Sequence, residues 1–199
     1  MALDAAMREP DGPARVAAVA AWLQSLYEPS DTVPVLVGGG AVELYTGGAY
    51  RTGDLDFVGA VPDHVSRRFL DSGFRRQGRH WIHEEHQLFI EFPAAALDVG
   101  DARASIEFGA LSVIVIGLEE ILIDRLAAWQ FWHSEIDARN AWLLWRASGA
   151  QLDIERARLL ATRKEVTRSL EVLERFGARF ADGEPTEADL ADFARRRPT

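Results

Sequence analysis

Residues 33–59 read VPVLVGGGAVELYTGGAYRTGDLDFVG, and the order of residue types in this stretch decides how the rest of the chain is read. Val33–Val37 is short, apolar and rich in β-branched residues, the pattern of a buried strand. Gly38, Gly39 and Gly40 predict a tight turn. Ala41–Tyr45 fits a short helix that stops near Gly47 and Gly48, and Leu55–Gly59 reads as the next strand. Residues two apart along a strand share a face, so Asp54 and Asp56 project together while Leu55 and Phe57 turn toward the other layer. Two carboxylates at that spacing repel one another unless one is protonated or a cation stands between them. Mg²⁺ suits such oxygen ligands, because it keeps several waters and also binds substrate phosphates. A second ion about 4 Å away would let one carboxylate bridge both.

A third acid would complete the site. Glu91 is the first candidate, since it interrupts the apolar run Leu88–Phe92, and an acid in such a run needs a compensating partner. Glu84 is the second candidate. The three glycines serve a different purpose. Without side chains the backbone can approach a ligand, and N–H groups at a helix start can cradle phosphate. The stretch matches neither the G-x-x-x-x-G-K-[ST] phosphate loop nor the G-x-G-x-x-G dinucleotide fingerprint. Asp-Leu-Asp alone carries no weight, because 31 acids in 199 residues give roughly five acid-x-acid pairs by chance. The joint order of strand, glycines, helix and acidic strand carries the reading.

Outward from this stretch, residues 1–13 read as a frayed lead-in, and Ala14–Tyr27 as an amphipathic helix ended by Glu28-Pro29-Ser30-Asp31. A helix is expected from Pro62 to Leu70, closed by Gly73. Two strands, Trp81–Glu84 and Leu88–Glu91, flank a polar turn, and residues 94–104 form a loop or short helix. Ile106–Phe108 and Ser112–Ile116 pair around Gly109-Ala110. After Gly117 the period becomes helical: Leu118–Trp132, Asp137–Trp145, Asp153–Leu160, Thr162–Phe176 and a last helix, capped by Thr186, that runs to Phe193. The tail Arg195–Arg197 is a solvated end.

Bulk properties narrow the function classes. The formal charge of −9 disfavours broad binding to phosphate backbones, though it leaves room for a local RNA contact and suits a cationic small molecule. There is no cysteine, so disulfide and thiolate chemistry are excluded. The acidic start is unlike a secretory signal, and the longest apolar run, Leu111–Leu118, is too short to span a bilayer. A cytoplasmic protein without a membrane partner is expected. His80, His83 and His86 recur at a spacing of three, but strand alternation scatters them over different faces, so a zinc site is disfavoured. Trp129, Trp132, Trp142 and Trp145 fit helix packing better than base stacking. Arg156, Arg158, Arg163, Lys164 and Arg168 alternate with acids, as on a solvated, salt-bridged face.

The central stretch resembles the signature of the DNA polymerase β-like nucleotidyltransferase superfamily: a strand ending in Gly-Gly or Gly-Ser, a short helix, and a strand bearing Asp-hydrophobic-Asp. Here these are Gly39-Gly40, the helix from Ala41, and Asp54-Leu55-Asp56. Arg51-Thr52-Gly53-Asp54 also resembles the Arg-Thr-x-Asp segment of small bacterial members, among them toxin-type enzymes of abortive-infection systems. The run Leu118–Leu126 resembles the helix that follows the sheet in these proteins, with Arg125 in place of their usual lysine, and Asp137 and Ala141 match a following Asp-x-x-x-Ala. The resemblance spans about residues 33–145.

It implies an α/β (α+β) nucleotidyltransferase-like core over residues 14–117, a mixed sheet with flanking helices, followed by a helical region over 118–195 packed on it. It implies transfer of a nucleoside monophosphate from a nucleoside triphosphate to tRNA, protein or a small molecule, with release of pyrophosphate and dependence on Mg²⁺ or Mn²⁺. Asp54, Asp56 and Glu91 would be the catalytic, metal-holding acids. Gly38, Gly39, Gly40, Arg51, Thr52 and Arg125 would contact the nucleotide. The alternative is a catalytically silent relative that works through a protein partner, as an antitoxin-like or interaction module.

Overall fold

The computed structural model describes residues 2–30 and 32–196; Asp31, after the first long helix, and Arg197, in the tail, lie outside the described residues. The chain forms two compact units, Met1–Gly117 and Leu118–Thr199.

In the first unit, α1 (Leu3–Met7) and α2 (Pro13–Ser25) precede the sheet. Pro13 opens α2 at a position where its missing N–H costs nothing. The expected frayed lead-in is thus in part a helix, with Leu3 and Ala6 buried in the core. The remaining elements are β1 (Val35–Val37), α3 (Gly38–Tyr45), β2 (Leu55–Val58), α4 (Asp63–Asp71), β3 (Arg75–Gln77), β4 (His80–His83), β5 (Leu88–Glu91), β6 (Arg103–Phe108) and β7 (Leu111–Ile116). The glycine triplet, expected to be a turn ahead of the helix, is instead the first turn of α3. Among the described residues the strands form one mixed sheet in the order β3-β4-β5-β2-β1-β7-β6. β1 runs antiparallel to β2 and parallel to β7, and β2 runs parallel to β5.

Two hairpins close with two-residue turns that begin at Gly78 and Gly109, whose φ values of 63° and 62° suit such turns. Strand β3 was not expected from the sequence. Its residues, Arg75, Arg76 and Gln77, are all exposed at the sheet edge and show no apolar alternation.

The core of this unit lies against one face of the sheet. Leu36, Leu55, Phe57, Ile90, Val113 and Val115 point into it beside α2 and α4. Trp22 stacks on Phe74 at 5.6 Å, and Phe69 on Trp81 at 4.5 Å. Buried Gln24 of α2 completes the sheet: its Nε2 donates to the carbonyls of Pro34 and Ile114, and its Oε1 accepts the Ile114 N–H. A buried polar side chain is tolerable there because each of its groups is hydrogen-bonded.

The second unit holds α5 (Leu118–Trp132), α6 (Glu135–Ser148), α7 (Ile154–Arg163), α8 (Thr167–Arg179) and α9 (Glu187–Arg195). Helix α6 starts before the expected Asp137 because the Ser134 hydroxyl accepts the Asp137 N–H and caps it. Thr186 and Asp189 form a reciprocal capping box on α9. Thr162 and Arg163 end α7 rather than opening α8, and Glu165, with φ 59°, makes the break between them. Trp129 and Trp142 are buried packing residues, whereas Trp132 is exposed. The basic stretch is paired with acids: Arg158 with Glu155 and Glu174, and Arg168 with Glu171. None of the described helices is long and apolar enough to cross a membrane.

Candidate active site

Strand register gathers the acids. Val37 pairs with Asp56, Asp56 with Glu91, and Glu91 with His80, so one row crosses β1, β2, β5 and β4. Leu55, Phe57 and Ile90 are buried on the core side, so alternation places Asp56 and Glu91 together on the opposite face. Asp54 lies just before β2, at an exposed bend rather than within the strand. The row ends where β1 passes into α3, whose first N–H groups have no helical partner.

The three glycines are explained one by one. A Cβ on Gly38 would lie 2.1 Å from Asp56 Oδ2 and 3.0 Å from its Cγ, and Gly38 has φ 59°. Gly38 therefore meets two demands: a left-handed backbone and room for the Asp56 carboxylate. A Cβ on Gly39 would lie 2.4 Å from the Thr52 hydroxyl, and one on Gly40 would lie 3.0 Å from both Leu36 and Leu55. The side-chain space over the glycines is thus taken by the chain's own atoms. Gly38 and Gly40 are buried, and Gly39 is half-buried.

Thr52 ties the approach loop to the site. Its hydroxyl donates to the Asp54 carbonyl at 2.9 Å and to Asp54 Oδ1 at 3.3 Å, and its N–H donates to Glu43 Oε2 at 2.9 Å. Glu43 in α3 is 1% exposed. Burial pushes its carboxyl above the ordinary range, opposed by the Thr52 N–H and by Arg51. Arg51 Nη1 stands 3.8 Å from Glu43 Oε1, and the Arg51 guanidinium rests against Gly12. Glu43 was absent from the residues expected at the site. The signal that singled out Glu91, an acid inside an apolar run, was present in Ala41-Val42-Glu43-Leu44 as well.

Glu91 has partners of its own. Arg79 Nε meets its Oε1 at 2.6 Å, and His80 Nδ1 lies 3.4 Å from its Oε2. Glu84 pairs with Arg75 at the exposed hairpin, away from the strand register that joins Asp56 to Glu91. Arg125 belongs to the second unit, where Asp124 and Asp137 hold its guanidinium. Burial lowers its basicity, but the two aspartates outweigh that and raise it above the ordinary value. His83 and His86 stack at 4.4 Å beside Phe74, and His80 turns to Glu91, so the three histidines do not converge.

Carboxylates at neighbouring positions of two adjacent strands are the hard oxygen donors that Mg²⁺ takes, so the donor chemistry fits a divalent cation. Among the described residues, no three His, Asp or Glu side chains converge on one point as they stand. Glu91, engaged by Arg79, does not converge with Asp54 and Asp56 as it stands.

A solved structure, that of an antigenic nucleotidyltransferase-like protein from Paracoccidioides brasiliensis, is similar to this chain. The TM-score is 0.54 and the identity 15%, over 82% of this chain and 95% of that one. The chain has a nucleotidyltransferase-like fold. No protein-family model and no curated protein matches it.

Proposed function

We propose that the chain is a metal-dependent nucleotidyltransferase. The observation that carries this reading is the register of Asp56 with Glu91, one strand over, beside the glycine start of α3. Backbone N–H groups at that start would receive the triphosphate. Asp54 and Asp56 would hold a divalent ion, whose charge would offset that of the phosphates. An acceptor hydroxyl would attack the α-phosphorus, forming one P–O bond while the bond to pyrophosphate breaks. Glu91, once parted from Arg79, would take the hydroxyl proton. Thr52 would keep Asp54 oriented. The resemblance in sequence to small bacterial toxin-type enzymes supports tRNA, protein or a small molecule as the acceptor.

The second reading, a silent relative acting through a protein partner, is favoured by one observation: Glu91 and Arg125 are both engaged in ion pairs within the chain. Calorimetry with each nucleoside triphosphate, with and without Mg²⁺, separates the two. Metal-dependent binding by the wild type that is lost in the Asp54→Asn/Asp56→Asn double variant supports the enzyme. Absence of binding to any nucleotide supports the silent relative.

A further inference from the structure

Next to the Asp54 loop lies a cleft of about 140 Å³, walled by the α1–α2 corner, Glu43, residues 51–55 and the turn before β5. Its charged lining comprises Asp11, Glu43 and Asp54 against Arg15 and Arg51, with His86 held by Asp4. Arg15 is paired with Asp11 at 3.3 Å. Glu43 is the exception among these groups. Its Oε2 is satisfied by Thr52, but its Oε1 is buried without a hydrogen-bond partner. A buried acceptor left unbonded is costly, and more so on a carboxylate. The atom that stands off from it is a guanidinium nitrogen, at 3.8 Å, on a side chain 56% exposed. A cation is therefore already accommodated opposite Oε1, but too far away to donate to it.

We infer that this cleft binds the primary ammonium group of a small molecule, which displaces the Arg51 guanidinium and donates a hydrogen bond to Glu43 Oε1. A compact ammonium can approach where the fork of arginine does not. The volume equals that of about five waters, enough for an ammonium on a short carbon chain. The ammonium anchors the molecule and does not react. Identifying that molecule as the acceptor of the nucleotide rests on the proposed nucleotidyl transfer; the binding itself does not. Arg51, once displaced, is released toward solvent on the loop that carries Asp54.

The test uses n-propylammonium as probe, with tetramethylammonium as a cation of equal charge that has no N–H to donate. Binding to the full chain is followed by saturation-transfer NMR without nucleotide. The expected result is saturable binding of n-propylammonium, at least tenfold weaker binding of tetramethylammonium, and at least a tenfold loss for n-propylammonium in Glu43→Gln. Asp56→Asn is expected to bind the probe as the wild type does, so a failure of the transfer chemistry is distinguishable from a failure of this site. No binding to the wild type, equal binding of the two cations, or undiminished binding to Glu43→Gln overturns the inference. Should Glu43→Gln fail to fold, the comparison of the two cations on the wild type decides alone, and equal binding of n-propylammonium and tetramethylammonium is then the overturning result.

Discussion

Glu43 in the first unit and Glu120 in the second are both helical acids in apolar surroundings, 1% and 5% exposed, yet the chain treats them differently. Glu120 is met by Arg156, whose Nε lies 3.0 Å from Glu120 Oε1 and whose Nη2 is also in contact. The result is a structural clasp between α5 and α7. Glu43 is met by a backbone N–H, while its nearby guanidinium stands off at 3.8 Å. That arrangement fastens the loop 51–54, which carries Asp54. A buried acid closed by arginine holds helices together; a buried acid closed by a loop amide places a loop.

The largest effect expected from this contrast is on the clasp. Arg156→Ala strands the Glu120 charge in an apolar setting and is expected to cost about 3 kcal/mol, the low end for a buried pair. The 35% exposure of the Arg156 side chain is the reason for the low end. Urea unfolding measures it, and a change below about 0.5 kcal/mol, the level of a surface pair, would break the contrast.

Next comes Gly38→Ala. It forces a side chain onto a left-handed backbone and into the Asp56 carboxylate, for an expected loss of about 2 kcal/mol together with lost nucleotide binding. A variant with wild-type stability and binding would show that the close approach of Gly38 to Asp56 is dispensable.

The smallest effect is a slope. A carboxyl whose value is raised on folding favours the protein while it is protonated, and that contribution disappears as pH rises through the raised value. Wild-type stability should therefore fall more steeply with rising pH, just above the ordinary carboxylate range, than that of Glu43→Gln. Parallel pH–stability curves would mean that Glu43 is not held in the strained state its burial indicates.

Much of this architecture was legible in the sequence because it rests on periodicity. Leu55 and Phe57 alternate with Asp56, and the helix over Leu118–Trp132 keeps its predicted bounds. Strand β3 was not legible, since Arg75, Arg76 and Gln77 bury nothing. At the site, Asp54 and Asp56 were singled out by their strand spacing within the ordered stretch, and Glu91 as an acid inside an apolar run. The partners of Glu91 were hidden: Arg79 and His80 reach it only through the β4–β5 register. The glycines were legible only in part. A glycine triplet signals close approach of something, but not whether that something is a ligand or, as at Gly38 and Gly39, the chain's own Asp56 and Thr52.

The most direct test of the central claim is transfer of label from α-³²P-labelled ATP, CTP, GTP or UTP, with Mg²⁺, to a panel of tRNA, proteins and small molecules, wild type against folded Asp56→Asn. Labelled acceptor and pyrophosphate are expected from the wild type with one nucleotide, and at least a thousandfold loss in Asp56→Asn. Wild-type rates of transfer in Asp56→Asn would contradict that claim.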